Sequence, residues 1–421
     1  MRILIIADIT HSSHRILPWC NFLSTLGHNV FLISPRTTRS QKKAYDYFNN
    51  GLWKHFESPR VFSLNNLLLP FGYRFQYLFE FFITKITLLL SFFFLPFFRR
   101  FTGTKIPREA FDANYFWIPS ALKLVRGLEN EFDMVLTSSS PFSTHVVGAL
   151  IKKDLGKLWV ADYRDPYSQN HTLRDLNRRK ILEVFEAQVM RQVDHVLSVS
   201  VEFARDLQNF LNSPTSVIHN GFKQSSSYNS ILPKDDKIHL GYFGTIYIGY
   251  QNPFRLIEIM EADIMKSKSF LIHFYGPSTW QMKKEFQRLN MEVPGYVRLA
   301  GMISAGESNK EQISMDYLVL FDWEDTDRTG VIPTKFIEYL GAGRPIICFG
   351  RTVHSEVAKI LNQTGAGVLC NSFEEGNNLF SSIMERKVVL PKRNKFAISK
   401  YEMSHLVSSL EAILYKVSTK E

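Results

Sequence analysis

Residues 2–8, "RILIIAD", form an unbroken apolar run of strand length closed by an acid. A helix-period stretch through "LPWCNFLSTLG" (17–27) follows, then a second apolar run, "NVFLISP" (29–35). Short apolar runs bounded by turn residues predict strands buried on both faces, and their alternation with helical periods predicts the strand, crossover, strand units of a parallel sheet. After an interruption the alternation resumes with "DMVLTSS", "THVVGALIKKDLG", "KLWVADYRD", the long helical "RKILEVFEAQVMRQ", "DHVLSVS" and "TSVIHNGF". Five or six parallel strands are expected there. A second series, "KIHLGYFG", "SFLIHFYG", "VRLAGMI", "YLVLFDW", "PIICFG" and "AGVLC", follows with helical patterns between. The polar, serine-rich "KQSSSYNSILPKDD" (223–236), carrying Pro233, reads as a linker between the two series. The pattern therefore predicts an α/β chain with two Rossmann-like domains, 1–222 and 237–400. The last helical stretch, in 401–421, is placed to pack back across the junction.

The interruption is chemically distinct. Residues 62–101, "FSLNNLLLPFGYRFQYLFEFFITKITLLLSFFFLPFFRRF", hold a large share of the chain's 35 phenylalanines. The longest nearly uncharged stretch within it falls well short of the roughly 20 residues a helix needs to span hydrocarbon. Aromatic residues flanked by Arg74, Lys85, Arg99, Arg100, Lys105 and Arg108 instead fit a segment lying in the plane of a bilayer, with cations on anionic head groups. An aromatic hairpin packed on the domain's own core, or on a second subunit, is the alternative. The insertion, about 62–108, is expected to make the N-terminal domain membrane-associating.

Length and charge narrow the field. A chain of 421 residues has material for two or three cores. Its net charge of +10 asks for an anionic partner: nucleic acid, a phosphorylated small molecule or an acidic membrane surface. The basic residues follow no nucleic-acid motif, so nucleic acid is not expected. Cys20, Cys348 and Cys370 have neither metal nor disulfide spacing, which fits a reducing compartment. "MRILIIADIT" turns polar too soon for a secretory signal. The expected location is cytoplasmic, peripheral to the inner face of the cell membrane.

Open parallel sheets bind ligands beyond the carboxyl ends of their strands. After the first strand comes "ITHSSHR", where His11, Ser12, Ser13 and His14 offer hydroxyl and imidazole groups without the glycine fingerprint of a nicotinamide site. Helix capping by Ser12 or Ser13 is the plainer reading. "DYRDPYS" sets Asp162, Arg164 and Asp165 at another strand end, either as an internal salt bridge or as an acid and a cation at a reacting centre. In the second series Gly244 and Thr245 follow the first strand, and Gly276 and Gly301 close the next two, where the missing side chain admits a phosphate or a tight turn. The backbone of Met302 and Ile303 is suited to a planar base. "VIPTKFIEYLGAGRPII" (331–347) reads as a short helix and a strand, with Lys335 in the first turn and Glu338 on the same face. A cation at the positive end of a helix dipole is unfavourable unless an anion joins it. A nucleoside diphosphate on Lys335 and the amides of Val331 and Thr334, with Glu338 taking ribose hydroxyls, answers that better than a surface ion pair.

The stretches "NFLSTLGHNVFLISP", "DHVLSVS", "VIHNGF", "GYFGTIY", "LAGMIS" and, above all, "PTKFIEYLGAGRPIICFG" resemble the GT-B glycosyltransferases. Within them the match is to the retaining group called glycosyltransferase family 4 (glycosyl transferases group 1). The resemblance covers nearly the whole chain outside 36–110. It implies an N-terminal acceptor domain, a C-terminal nucleotide-sugar donor domain and transfer without an obligatory metal or other cofactor. Members carry two glutamates eight positions apart; with Glu338 as the second, Gly330 occupies the place of the first. The diphosphate-binding Arg and Lys that many members place after the first glycine are also missing from "GTIYIGYQNP". Lys335, with Arg328, is left to meet the phosphate charge. Asp322, Glu324, Asp325 and Asp327 in "DWEDTDRTG" are candidates to replace the absent sugar contact. The family's cleft histidine aligns near Arg164, leaving the catalytic group between Arg164 and Asp165.

The resemblance implies a glycosyltransferase, hexosyltransferase-like, that works with retention; the aromatic, basic insertion in the acceptor half makes the expected acceptor a lipid-linked or cell-surface glycan, as in polysaccharide or lipopolysaccharide synthesis. Two alternatives share the fold: an epimerase acting on free nucleotide sugars, and a degenerate scaffold protein that has lost catalysis. Expected site residues are Arg164, Asp165 and Lys335 for catalysis; Gly244, Thr245, Gly276, Met302, Ile303, Arg328, Gly330, Val331, Thr334, Lys335 and Glu338 for the donor. His11, Ser12, Ser13, His14 and Asp162 are expected to meet the acceptor.

Overall fold

The structure, a computed structural model, describes residues 1–35, 51–58, 99, 106–111, 113–170, 173–223, 235–324, 329–350 and 353–419. Apart from 99 and 106–108, the aromatic, basic insertion lies outside the described residues, as do Arg328, Asp325 and Asp327, most of the expected linker (224–234), and the side chains of His11 and Ser12. The chain divides into two compact units, Met1–His219 with Val407–Glu421, and Asn220–Leu406. Among the described residues no helix is long and apolar enough to cross a membrane.

The first unit is built on seven parallel strands: β1 (Arg2–Ala7), β2 (Asn29–Pro35), β3 (Lys54–Ser58), β4 (Met134–Ser139), β5 (Leu158–Tyr163), β6 (His195–Ser198) and β7 (Thr215–Val217). They lie in the order β3-β2-β1-β4-β5-β6-β7. Helices α1 (Ile9–Thr25), α2 (Ile118–Arg126), α3 (Ser143–Leu155), α4 (Leu176–Met190) and α5 (Val201–Leu211) connect and cover them. The central strands are buried throughout, which explains their unalternating apolar sequences. One strand more than expected is present. It is β3, "KHFES", an edge strand with a mostly solvated face, so it lacks the apolar run that marks its neighbours.

In the second unit β8 (Ile238–Phe243), β9 (Phe270–Tyr275), β10 (Val297–Gly301), β11 (Tyr317–Phe321), β12 (Ile346–Phe349) and β13 (Gly367–Cys370) form a parallel sheet in the order β10-β9-β8-β11-β12-β13. Its helices are α6 (Phe254–Glu261), α7 (Ile264–Ser269), α8 (Ser278–Arg288), α9 (Ala305–Ser314), α10 (Thr334–Ala342), α11 (Glu356–Thr364), α12 (Phe373–Met384) and α13 (Lys395–Ser399). Strand alternation splits the core between the two faces. Leu240, Tyr242, Ile272 and Phe274 pack on one side, and Phe243, Phe336, Ile337 and Leu340 on the other. The last helix, α14 (Met403–Ser418), leaves this unit after Leu406 and joins the first. There Glu411 lies 2.7 Å from His28 Nε2 and Tyr415 packs edge-on to the same ring.

Candidate functional site

In both sheets the connections reverse direction beside the first strand, between β1 and β4 and between β8 and β11. Loops leaving the two strands at such a point diverge and expose backbone to a ligand. In the second unit the three strand ends on one side of the reversal close on glycines. Gly244, Gly276 and Gly301 all have positive φ, 107°, 82° and 87°. They stack through backbone hydrogen bonds, Gly244 N to Tyr275 O at 3.0 Å and Gly276 N to Gly301 O at 2.7 Å. The left-handed turn favours glycine at Gly276, and a Cβ there would stand in ordinary van der Waals contact with the Gly244 Cα, at 3.4 Å. Beyond them Met302 is 67% exposed at the end of β10, with Ile303 half-buried beside it.

On the other side of the reversal stands α10, whose N-cap is Pro333 and whose first turn receives no side-chain cap. Tyr339 ties this helix to β8 by accepting the Phe243 N–H at 2.9 Å. That bond and the packing of Phe336 and Ile337 set the helix start against the β8 end, one turn from Lys335. The Lys335 ammonium reaches across the carboxyl edge of the sheet, donating to the Tyr242 hydroxyl and, at 2.6 Å, to the Thr245 carbonyl. It sits 4.3 Å from the Tyr242 ring centroid. These partners are neutral, and burial presses the ammonium down to about 7, with Glu338 pulling upward. A lysine so placed is short of negative charge, which is the condition a phosphate relieves.

Glu338 follows on the next turn. Protein surrounds it closely and burial raises its carboxyl, against the pull of Gln312 and Lys335. Yet its own surface remains accessible, and water moderates that rise. Val331 and Thr334 are half-buried before it, and Gly330 is buried in the preceding turn. The acids expected to replace the missing sugar contact are otherwise engaged where they are described. Asp322 is buried, accepting from Trp323 N and Ser355 Oγ at 2.9 Å each, and desolvation lifts it to about 6. Glu324 pairs with Arg255 at 3.1 Å. Both hold the end of β11 in place. Among the described residues no cluster of three or more His, Cys, Asp or Glu side chains is placed to hold a metal ion.

The equivalent edge of the first unit corrects three expectations. The helix α1 begins at Ile9, so His11, Ser12, Ser13 and His14 lie within its opening turns and neither serine is the cap. Asp162 is not offered to an acceptor. It is fully buried, with Arg15 bound to both its oxygens at 2.7 and 3.1 Å and Ser138 Oγ at 2.7 Å. Arg15 also donates to the carbonyls of Ile218 and His219. The internal salt bridge is therefore Asp162 with Arg15, not with Arg164. Arg164 braces the loop after β4 through the carbonyls of Ser139 and Ser140, at 2.9 and 2.7 Å. His14, half-buried near Arg164 and Arg15, is pushed down to about 4, by burial first and then by the two cations, so it is neutral at pH 7. Asp165 has an accessible surface, and crowding raises its carboxyl while Arg164 lowers it.

No protein-family model matches the sequence, and no curated protein sequence matches it either. Solved structures do. Sucrose-phosphate synthase from Thermosynechococcus elongatus matches with a TM-score of 0.63 at 12% identity, covering 100% of both chains. The fold is GT-B. HepE from Anabaena, solved with UDP and glucose, matches at 0.60 and 13% identity over 99% of each chain. The lipopolysaccharide outer core galactosyltransferase WaaB matches this GT-B chain at 0.57 and 12% over 99% of each. At such identity the likeness lies in the course of the backbone.

The sequence reading did not find Tyr242 or Arg15 as partners of the residues it singled out. Tyr242 occupies an inward strand position, where an aromatic reads as core. Arg15 closes "ITHSSHR" eight positions after the end of β1, and nothing in spacing ties it to an aspartate 147 positions away.

Proposed function

We propose that the chain is a glycosyltransferase whose second unit holds a nucleotide sugar and whose first unit receives a lipid-linked or cell-surface glycan. The observation that carries this is the Lys335 ammonium, held by neutral oxygens at the sheet reversal beside the start of α10. As the bond from the sugar carbon to the β-phosphate oxygen breaks, negative charge grows on the departing nucleoside diphosphate. A preorganised cation and helix amides stabilise that charge more in the transition state than in the ground state. Gly244, Thr245 and Gly276 would bring backbone to the diphosphate, Met302 and Ile303 would meet the base, and Glu338 the ribose. Arg164 and Asp165, with Ser13 and His14, would face the acceptor from the first unit. Retention at the sugar carbon, a role in polysaccharide or lipopolysaccharide synthesis and attachment to the inner face of the cell membrane belong to the same reading. The UDP and glucose bound to HepE, and the lipopolysaccharide outer core galactosyltransferase WaaB, support it by analogy of fold.

The test is a thermal-shift screen of nucleoside diphosphates and nucleotide sugars, since a ligand bound to the folded state raises the melting temperature once it exceeds its Kd. One nucleotide is expected to stabilise the protein, and Lys335→Ala to abolish the shift while melting normally without ligand. With the matching donor and acceptor, that variant should turn over on the order of 100-fold more slowly. Equal turnover at matched folded fraction rejects the assignment. Conversion of the donor in the absence of any acceptor would indicate epimerisation instead.

A further inference from the structure

The helix α4 carries an outward face unlike that of an ordinary surface helix, whose solvent side is polar. Its inward side is conventional, with Leu182, Phe185, Val189 and Met190 buried. Its start is fixed by Asp175, whose carboxylate accepts from the Asn177 and Arg178 amides at 3.0 Å each. On the outward side Leu176 is 66% exposed, Val184 72% and Ile181 37%. Between and beyond them stand Lys180, Ala187 and Arg191, also exposed, with Asn177 and Gln188 as the remaining polar positions. At 100° per residue these side chains fall within one arc of the helix, and none of them is acidic. Acids adjoin the arc at Asp175, the cap, and at Glu183, half-buried at its edge; Glu109 is a further exposed acid. Glu109 belongs to the short turn Arg108–Ala110, packed at the start of α4, where Arg178 donates to its carbonyl at 3.3 Å.

We propose that this face of α4 docks on an anionic lipid bilayer. Leucine, isoleucine and valine among cations, without acids, match the two layers such a surface presents, acyl boundary and phosphate plane. A second copy of this chain fits poorly. In a symmetric contact the patch meets its own copy, so the cations Lys180 and Arg191 would meet a surface that carries cations and no carboxylate within the arc. Arg178 in the first turn, and Arg108 and Arg174 before it, extend the basic character at the start of the helix. In sequence, the turn Arg108–Ala110 follows the end of the aromatic, basic stretch. The docking surface specifies the membrane part of the proposed function and does not depend on the donor site.

The experiment uses the full chain and sedimentation with large vesicles, either phosphatidylglycerol mixed with phosphatidylethanolamine or pure phosphatidylcholine. Expected is binding to the first and not the second, weakened in 0.5 M salt, where the Debye length is about half its physiological value. The double variant Leu176→Asp/Val184→Asp, and separately Lys180→Glu/Arg191→Glu, should each lower partitioning by about tenfold or more. All four side chains are exposed, so melting temperature and nucleotide shift should stay as in the parent. Undiminished vesicle binding by both variants overturns the proposal and leaves membrane contact to another segment. A change from dimer to monomer in the variants, seen by sedimentation velocity, also overturns it in favour of a second copy. Val184→Cys labelled with an environment-sensitive dye should shift to the blue on the anionic vesicles, whereas an unchanged spectrum during binding counts against it. Absence of a nucleotide shift in the parent protein would sink the donor site alone.

Discussion

Lys335 makes a proton-linkage prediction with a definite sign. Its ammonium is depressed from the ordinary 10.5 to about 7, so the free folded protein binds fewer protons than the unfolded chain between those values. Stability contributed at this position therefore rises with pH above about 7. A bound diphosphate supplies the missing counter-charge and restores the ammonium. Binding at pH 8 should take up protons, measured by calorimetry in two buffers of different ionisation enthalpy, and affinity should weaken as pH rises past 7. Lys335→Ala should abolish the uptake. Asp162 makes the contrasting case, a charge fully matched inside the protein. Asp162→Ala leaves the Arg15 guanidinium buried without its carboxylate and should cost about 3–5 kcal/mol in urea denaturation. Asp165→Ala, three residues on at an accessible position, should stay within about 0.5 kcal/mol.

The second unit's site is an assembly of strand ends and one helix start, and its geometry is set by contacts between elements. Gly276→Ala would force a left-handed backbone on a β-carbon that touches the Gly244 backbone at the site. A loss of roughly 1–3 kcal/mol is expected, with weaker nucleotide binding. Gly249→Ala is the control, because its φ of 86° is similarly positive but nothing lies within 4 Å of the added carbon. It should cost about 1–2 kcal/mol and leave nucleotide affinity unchanged, as read by thermal shift of both variants. The inner strands of this unit, β8, β9, β11 and β12, were legible because burial makes each a largely apolar run followed by glycine or an acid. The edge strand β3 and the early start of α1 were not. One has a solvated face, and the other opens with polar side chains at a strand end, where loop and first helical turn share the same composition.

Each unit has its own sheet and its own core, and the two sheets share one pattern of connection, reversing beside the first strand. Hydrogen exchange of the intact protein should therefore show nucleotide-dependent protection at the ends of β8, β9 and β10 and the start of α10. The amides of β4 to β7 should be unchanged by the nucleotide; protection there instead would move the donor to the first unit. The order of apolar and polar residues was enough to specify the α/β class and the two series of strands, because burial is an averaged property that local composition records. It was enough also to single out residue 335, since a cation at a helix start is locally anomalous. Which oxygens surround that cation, and which arginine neutralises Asp162, depended on residues 90 and 147 positions apart meeting at a sheet edge. Pairings of that kind follow from packing and from the order of strands, and they leave no periodic trace along the chain.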